Sequence, residues 1–438
     1  MLERPILRRL LALLANLLPL AALSGEPKPP LSLSALPDRQ ELAILLWEGS
    51  PRLQSSRTRI AEARGDLQRA HLLPNPTLDV SWNTIPVGEL NPPGLDRPLA
   101  NVPNYDFGLS ELVEMGKRGP RQQVAANASA AILEEARANL FDAFFDLSER
   151  IAAVAASEVR IASLSELAED ARKLTEIQKA RAEKGDAAQL DVDRSALEEE
   201  KLWAALSEER AKLAVGLREC GEIAGTRCEP FGSSAPAEAF MNQRPRQDLS
   251  LESRPDLRSL ELQKIAAEHA LSLAHARAIP DLTFRLGYVH DRFLVSGDQG
   301  NSLFVGVSLP LPMFDHGQAD ARVAEAALST AARMRAILLE QAQTQLATVI
   351  QERGVVEQRR QRMREMTLPL AQSVVKRLEE VVRRGGAPLP ELLLARRTLG
   401  ELTAQAADLD LSAFQLAVAE ARIRGDGPPT PAEFIANP

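Results

Sequence analysis

The sequence has few aromatic residues and no excess of basic ones. Phe, Trp and Tyr make up 4% of its 438 residues, and the formal net charge is −8. A composition rich in Ala, Leu, Glu and Arg is typical of long helices and coiled coils rather than of β-rich globules. Because the chain lacks the basic surplus that neutralises phosphates, we do not expect it to bind nucleic acid.

Long apolar runs are absent from the body of the chain, where no segment approaches the ~20 residues of a membrane-spanning helix. The N-terminus is the exception, since Arg4, Arg8 and Arg9 are followed by the apolar run LLALLANLLPLAALSG. This pattern predicts a signal peptide over residues 1–24, and therefore export from the cytoplasm. The alternative is an uncleaved membrane anchor. The cleavage region contains no Cys, so we do not expect a lipid anchor there.

Cysteine is nearly absent, because Cys220 and Cys228 are the only two. In an exported chain, such a close pair predicts a local disulfide, with free thiols or metal ligands as the alternatives. The sequence has five histidines. His269 and His275 are six residues apart on a predicted helix, a spacing that does not place two ligands on the same face. We therefore predict no metal site.

Signatures of catalysis are also missing. The segment GKRGP lacks the GxxxxGK[ST] spacing of a phosphate-binding loop, and no GxSxG nucleophile elbow occurs. We predict a protein that is not an enzyme and has no cofactor.

The first half of the chain combines short strands with very long helices. A helical pattern over 38–72 is followed by an alternating strand at 77–83, a Pro-rich loop at 85–104 and a second strand at 105–115. A helix free of Pro and Gly is predicted over 121–184. Its apolar residues recur every seventh position, as in a coiled coil: Leu133, Leu140, Leu147, Val154 and Ile161.

The second half repeats this order. It has a helix at 256–278, strands at 281–290 and 301–311, a long helix to 384 interrupted at Pro369, and a returning helix. Pro76 matches Pro280, Gly116 matches Gly317 and Gly185 matches Gly385, at offsets of 204, 201 and 200. A nearly constant offset across several element types indicates an internal duplication.

Four short strands are too few to close a membrane barrel, for which about eight is the minimum. An oligomer could pool them into one barrel, with the long helices forming a tunnel behind it. The predicted fold class is therefore mainly α with a membrane β-barrel, built from a duplicated helix-strand-strand-long helix-turn-helix unit.

At several segments the chain resembles the outer-membrane efflux factor family, the TolC-like channels of RND-type tripartite pumps. The segments are HLLPNPTLDVSWN, LSELVEMGKRGPRQQVAAN, RAEKGDAAQLDVDRSALEEEKL, VGVSLPLPMFDHGQADARVAEA and LPLAQSVVKRLEEVVRRGGAPLPELLLARR. Each match is loose, but their order and duplication make the resemblance specific, and it covers nearly the whole mature chain.

The resemblance implies a homotrimer in which a twelve-stranded barrel continues into an α-helical periplasmic tunnel. It implies as partners a periplasmic adaptor, an inner-membrane RND-type pump and outer-membrane lipid. The implied domains are a first repeat (38–217, tip 184–187), an equatorial linker (218–254), a second repeat (255–424, tip 384–388) and a C-terminal tail (425–438). Loop 85–104 and turn 291–300 would be extracellular, and PFGSSAPAEAF would be an irregular equatorial loop.

The adaptor would dock at the two tips, which the resemblance assigns to Gly185, Asp186, Leu190, Gly385, Gly386 and Leu389. The family commonly has an aromatic residue three positions before each tip glycine, whereas this chain has Ala182 and Val382. Because of this departure, the resemblance does not specify the details of adaptor docking at the tips.

Three carboxylates near the first tip, Asp186, Asp191 and Asp193, are candidates for a pore constriction that favours cations. The alternative is that they cap the turn and face solvent. The predicted function is a passive export duct in the outer membrane that extends into the periplasm. A periplasmic coiled-coil adaptor or scaffold, and the exit duct of a type I protein secretion system, remain alternatives. The sequence does not identify the cargo.

Overall fold

The computed structural model describes residues 29–85, 87, 97–243, 251–292, 300–384 and 386–429. The predicted signal peptide and tip residue Gly385 lie outside these ranges, as do half of loop 85–104, most of turn 291–300 and the tail beyond 429.

Helices dominate the described part of the chain. In order they are α1 (Arg39–Gly49), α2 (Gln54–His71), α3 (Pro98–Asn101), α4 (Arg118–Glu183), α5 (Gln189–Ala224), α6 (Ser234–Met241), α7 (Pro255–Ala276), α8 (Gln318–Arg362), α9 (Leu368–Arg383) and α10 (Leu389–Arg424). In these ranges, none of the helices is both long enough and apolar enough to cross a membrane.

The strands form two sheets. A small parallel pair joins β1 (Leu31–Ser32) to β4 (Cys228–Glu229). The larger sheet is antiparallel, with the order β2 (Thr77–Asn83), β3 (Asn104–Val113), β5 (Leu282–His290) and β6 (Asn301–Ser308). All four strands lie within two or three residues of their predicted positions. β6 ends before the predicted 311 because Pro310 and Pro312 have no N–H to donate to a neighbouring strand.

The long helices repeat at a constant interval. α4 has 66 residues, or about 99 Å at the usual rise of ~1.5 Å per residue. It starts at 118 and ends at 183, while α8 starts at 318 and α9 ends at 383. Both α5 and α10 have 36 residues. The long helical segments 118–183 and 318–383, and the returning helices α5 and α10, are therefore equal in length and 200 residues apart.

α4 is the central element. It packs against α2, α5, α6, α7 and α10, and the hydrophobic core surrounds its middle section. Of the predicted heptad residues, Leu140, Leu147 and Val154 are fully buried, and Leu133 packs against the core. The seam therefore supplies part of the core.

Three segments differ from the sequence-based expectations. The segment 38–72, expected to be one helix, forms two helices, because Pro51 cannot continue the first one. The Ser50 N–H donates a hydrogen bond to the Leu46 carbonyl at the end of that first helix. The interruption expected at Pro369 is a π-helical turn just before it, Met363–Thr367, after which the helix continues. Part of the segment expected to be an irregular loop, PFGSSAPAEAF, forms α6, whose Ala237 and Met241 are buried.

Candidate membrane sheet and helical tips

One face of the four-stranded sheet is apolar and exposed. Cross-strand partners place Val80 opposite Phe107, Phe107 opposite Tyr288, and Tyr288 opposite Leu303, so the apolar side chains form continuous rows. Leu303 and Val305 on the edge strand are 77% and 79% exposed. The exposed apolar residues of this face are Leu78, Val80, Trp82, Phe107, Leu109, Phe284, Leu286, Tyr288, Leu303, Val305 and Val307. An apolar patch of this extent marks a surface that contacts lipid or protein.

The opposite face of the sheet is polar and internally hydrogen-bonded. Ser110 Oγ donates to Asp79 Oδ2 at 3.0 Å, and Ser81 Oγ donates to Asp106 Oδ2 at 2.9 Å. Alternation of this kind, with a period of two residues, is the pattern of strands that separate lipid from water.

Polar clamps fix the corners where strands pass into helices. Before α4, Asp281 accepts a hydrogen bond from the Met115 N–H at 2.9 Å and pairs with Lys117 Nζ at 2.8 Å. Before α8, Gly317 has φ +85°, and a Cβ there would overlap the Ala274 carbonyl, so this corner requires glycine. These contacts hold the sheet in a defined orientation to the long helices.

The first tip is a tight turn between α4 and α5. Gly185 has φ +78°. The N–H of Asp186 donates to the Arg181 carbonyl at 2.9 Å and that of Gly185 to the Ala182 carbonyl at 2.9 Å, which is the pattern of a Schellman motif. Leu190 is 56% exposed just beyond the turn.

The second tip, between α9 and α10, repeats this hydrogen bonding. The Gly386 N–H donates to the Val381 carbonyl at 2.9 Å, and the Glu391 N–H donates to the Pro388 carbonyl at 3.1 Å. Both bonds have counterparts 200 residues earlier, from Asp186 and Asp191. Leu389 is the first residue of α10.

The three carboxylates near the first tip all face solvent. Asp191 lies in the first turn of α5, where the helix dipole favours a negative charge. Asp193 accepts a hydrogen bond from Gln189 Nε2 at 3.0 Å. These contacts fit both alternatives, capping of the turn and a charged ring around an opening.

A buried cluster surrounds the two cysteines, which are joined by a disulfide with a Cα–Cα distance of 6.1 Å. The bond links the last turns of α5 to β4, and β4 pairs with β1. Glu158 of α4 accepts a hydrogen bond from the Phe231 N–H at 2.7 Å. Burial raises the pKa of Glu158 above its ordinary value, although the N–H groups of Phe231 and Gly232 oppose that shift.

Ion pairs between helices that are distant in the sequence were not predicted. Arg396 of α10 contacts both oxygens of Asp170 of α4, at 3.1 and 2.9 Å, and Glu379 of α9 at 2.7 Å. These hydrogen bonds raise the pKa of Arg396. Arg360 and Arg364 converge on the buried Asp410 at 2.7 and 2.6 Å. The charges were visible in the sequence, but Arg396–Asp170, Arg360–Asp410 and Arg364–Asp410 are separated by 226, 50 and 46 residues along the chain, and no periodicity connects them.

Comparison with known proteins identifies the fold. No protein-family model matches the chain. A curated relative, the cobalt-zinc-cadmium resistance protein CzcC of Cupriavidus metallidurans, is 22% identical over 282 residues, which are 64% of this chain and 64% of the relative. The matched part is therefore slightly less than two thirds of that protein.

Solved structures match over more of the chain. CusC, described in connection with transmembrane channel formation, is 14% identical with a TM-score of 0.69, covering 92% of this chain and 97% of its own. The CmeC outer membrane channel of Campylobacter jejuni is 13% identical, with a TM-score of 0.68 and coverage of 88% and 85%. The outer membrane protein VceC of Vibrio cholerae is 17% identical, with a TM-score of 0.67 and coverage of 88% and 96%. The chain has the fold of these outer-membrane channels, and the resemblance predicted from the sequence is confirmed at that level.

Proposed function

We propose that this chain, which has the fold of the outer-membrane efflux channels, is the outer-membrane component of a tripartite efflux pump. It is a passive duct, located in the outer membrane and extending into the periplasm. An inner-membrane transporter supplies the energy and a periplasmic adaptor connects the two.

The apolar face of the sheet is the observation that carries this proposal. Exposing so many large apolar side chains to water costs free energy, at roughly 25 cal/mol per Å² of apolar surface. Lipid removes that cost, because the middle of the face is apolar on all four strands, with Glu111 and His290 toward the strand ends, while the opposite face is mainly polar. A lipid-facing exterior and a water-facing interior follow from the alternation.

A homotrimer, which the resemblance to the outer-membrane channels implies, is compatible with the same sheet. β2 and β6 are its edges, and exposed edges invite pairing with another strand. Edge-to-edge pairing of three copies would close a barrel of twelve strands, above the minimum for a membrane barrel. The long helices of the two duplicated units, of which α4 is about 99 Å long, would then enclose the periplasmic tunnel.

The rival function, a periplasmic coiled-coil scaffold, accounts for the helical hairpins but not for the sheet. A scaffold in water gains nothing from an exposed apolar face. The exit duct of a type I secretion system would share this fold, and no observation in the structure favours it.

The adaptor docks at the two tips in this arrangement. Its contacts there are Gly185, Asp186, Leu190, Gly386 and the first turn of α10. The support is that both tips have the same backbone hydrogen bonds and lie at the far ends of the long helices. Asp186, Asp191 and Asp193 would ring the opening there in the trimer. As for cargo, the match to a cobalt-zinc-cadmium resistance protein makes divalent metal ions the first class to test.

The test is planar-bilayer conductance of the detergent-purified protein, with its mass measured in parallel. A trimer of the 47.7 kDa chain, less any cleaved segment, with discrete conductance steps is expected. A monomer that never inserts into the bilayer would overturn the proposal and favour the scaffold.

A further inference from the structure

The polar face of the sheet carries one large aromatic side chain, Phe304 of β6. It points to the same side as Asp79 and Arg285 and away from the apolar face, since its neighbours Leu303 and Val305 lie on the other side. In the proposed trimer this side faces the lumen, so the inference rests on the proposed function.

Two glycines form a cradle for this ring. Gly287 is directly opposite Phe304 on β5, and Gly108 is opposite Gly287 on β3. A Cβ at Gly287 would overlap the ring, and a Cβ at Gly108 would lie 3.4 Å from its Cζ. The ring therefore lies across two strands and covers both glycines, which are buried even though they belong to a surface sheet.

An ion pair lies beside the ring. The Arg285 guanidinium is 5.9 Å from the Phe304 ring centroid and 3.6 Å from Asp79 Oδ2. Contact with the face of an aromatic ring restricts where a guanidinium rests. Asp79 is held in turn by Ser110 Oγ at 3.0 Å. The aromatic ring, the cation and the anion thus form one connected group.

The other charged residue on this face of the described strands is Asp106. Hydrogen bonds from Ser81 and Asn83 orient its carboxylate. Asp106 lies on β3 two residues before Gly108, which is the residue opposite Asp79. The Asp79 and Arg285 charges cancel, so that Asp106 supplies the net charge of the face, one negative charge per protomer.

We propose that Asp79, Arg285 and Phe304 form a charge-balanced ring in the lumen of the duct, which keeps the duct only weakly selective for small ions because the paired charges cancel. Arg285 neutralises Asp79, and Phe304 holds the guanidinium in place. With the pair intact, the three Asp106 carboxylates give the pore a modest preference for cations. Charged rings influence selectivity in this way because an ion that crosses the lumen passes through the electric field of all copies of the ring.

Opposite changes in selectivity are expected from the two partners. R285Q leaves Asp79 unpaired, and the K⁺/Cl⁻ permeability ratio should rise by at least about twofold. D79N leaves Arg285 unpaired, and the ratio should fall below that of the wild type. The double variant D79N/R285Q restores the balance of charge and should return close to the wild-type ratio. S302Q, a neutral change on the same face, serves as the matched control.

The measurement is the reversal potential of full-length protein in a bilayer under a KCl gradient, with trimer mass determined for each variant. Equal ratios in wild type, R285Q and D79N would overturn the proposal, as would shifts of the same sign. If R285Q fails to assemble, D79N and the double variant still decide the question. A wild-type protein without conductance would instead contradict the proposed function, so the two failures are distinguishable.

Discussion

At the scale of single residues, the buried cluster around the disulfide shows how a buried carboxylate can be tolerated. Glu158 is 9% exposed, and its carboxylate is compensated by backbone N–H groups rather than by a cation. The compensation is incomplete, because burial still raises the pKa of Glu158 above its ordinary 4.5. The folded state therefore binds this proton more tightly than the unfolded state.

The consequence is a signed pH dependence. The contribution of Glu158 to the free energy of unfolding is fully present below the pKa that this group has in the unfolded chain. It is lost as the pH rises through the pKa of Glu158 in the folded protein. E158Q keeps an oxygen acceptor for Phe231 and cannot ionise. The melting temperature of E158Q minus that of the wild type should therefore be larger at about pH 8 than at about pH 5.

Thermal unfolding of both proteins at the two pH values checks this prediction. The same substitution at the exposed Glu183 on α4 is the control and should show no such trend. An E158Q effect that is equal at both pH values, or larger in acid, would contradict the assignment.

The disulfide is the second residue-scale feature, because it closes a short loop of sequence separation 8. Its loss in C220A/C228A should lower the free energy of unfolding by about 2–3 kcal/mol on the chain-entropy estimate. Denaturation monitored in oxidised and reduced wild type and in the double variant measures this. A reduced wild type as stable as the oxidised protein would count against a stabilising role.

At the scale of elements, the sheet is specified by a strict period of two. One substitution on each face of β6 separates the roles of the faces. V305R places a charge on the apolar face and should cost about 2–4 kcal/mol at mid-membrane depth, so that little trimer assembles in the membrane. S302R places the same charge on the polar face and should assemble normally.

The amount of heat-modifiable trimer in isolated outer membranes is measured for V305R and for S302R, and the two amounts are compared. Equal assembly of V305R and S302R would show that the apolar face does not contact lipid.

The tips are the other elements with a separable role. Leu190 and Leu197 lie on α5 seven residues apart, on one helix face, and are 56% and 58% exposed. L190E should weaken adaptor binding by at least about tenfold, because it places a charge in a docking contact. L197E makes the same change two turns away from the tip and should have little effect.

Binding of a purified adaptor to each variant, with helicity measured to confirm folding, tests this assignment. If L197E weakens binding as much as L190E does, docking is not confined to the tip.

At the scale of the whole molecule, the arrangement of a lipid-seeking sheet beside long helices predicts how the protein partitions. The chain should stay with the outer membrane through high-salt and carbonate washes and be released by detergent, since its anchorage is apolar. A scaffold held by charge would be released by salt. Release into the periplasmic fraction by osmotic shock would contradict the channel.

The sequence by itself determined most of the elements. Strict alternation predicted the four strands, and β2 was predicted at its observed bounds of Thr77–Asn83. The absence of Pro and Gly predicted the long helix, and positive-φ glycines marked the turns. These signals succeed because they depend on local backbone preferences and on periodicity.

Only the tertiary structure decided which elements meet. The pairing of β3 with β5 joins the two halves into one sheet, and the Arg396–Asp170 contact links α10 to α4 across 226 residues. The cradle of Phe304 over Gly108 and Gly287 depends on strand register, which alternation alone does not specify. Such contacts depend on three-dimensional proximity, and a one-dimensional pattern carries no record of which distant residues become neighbours.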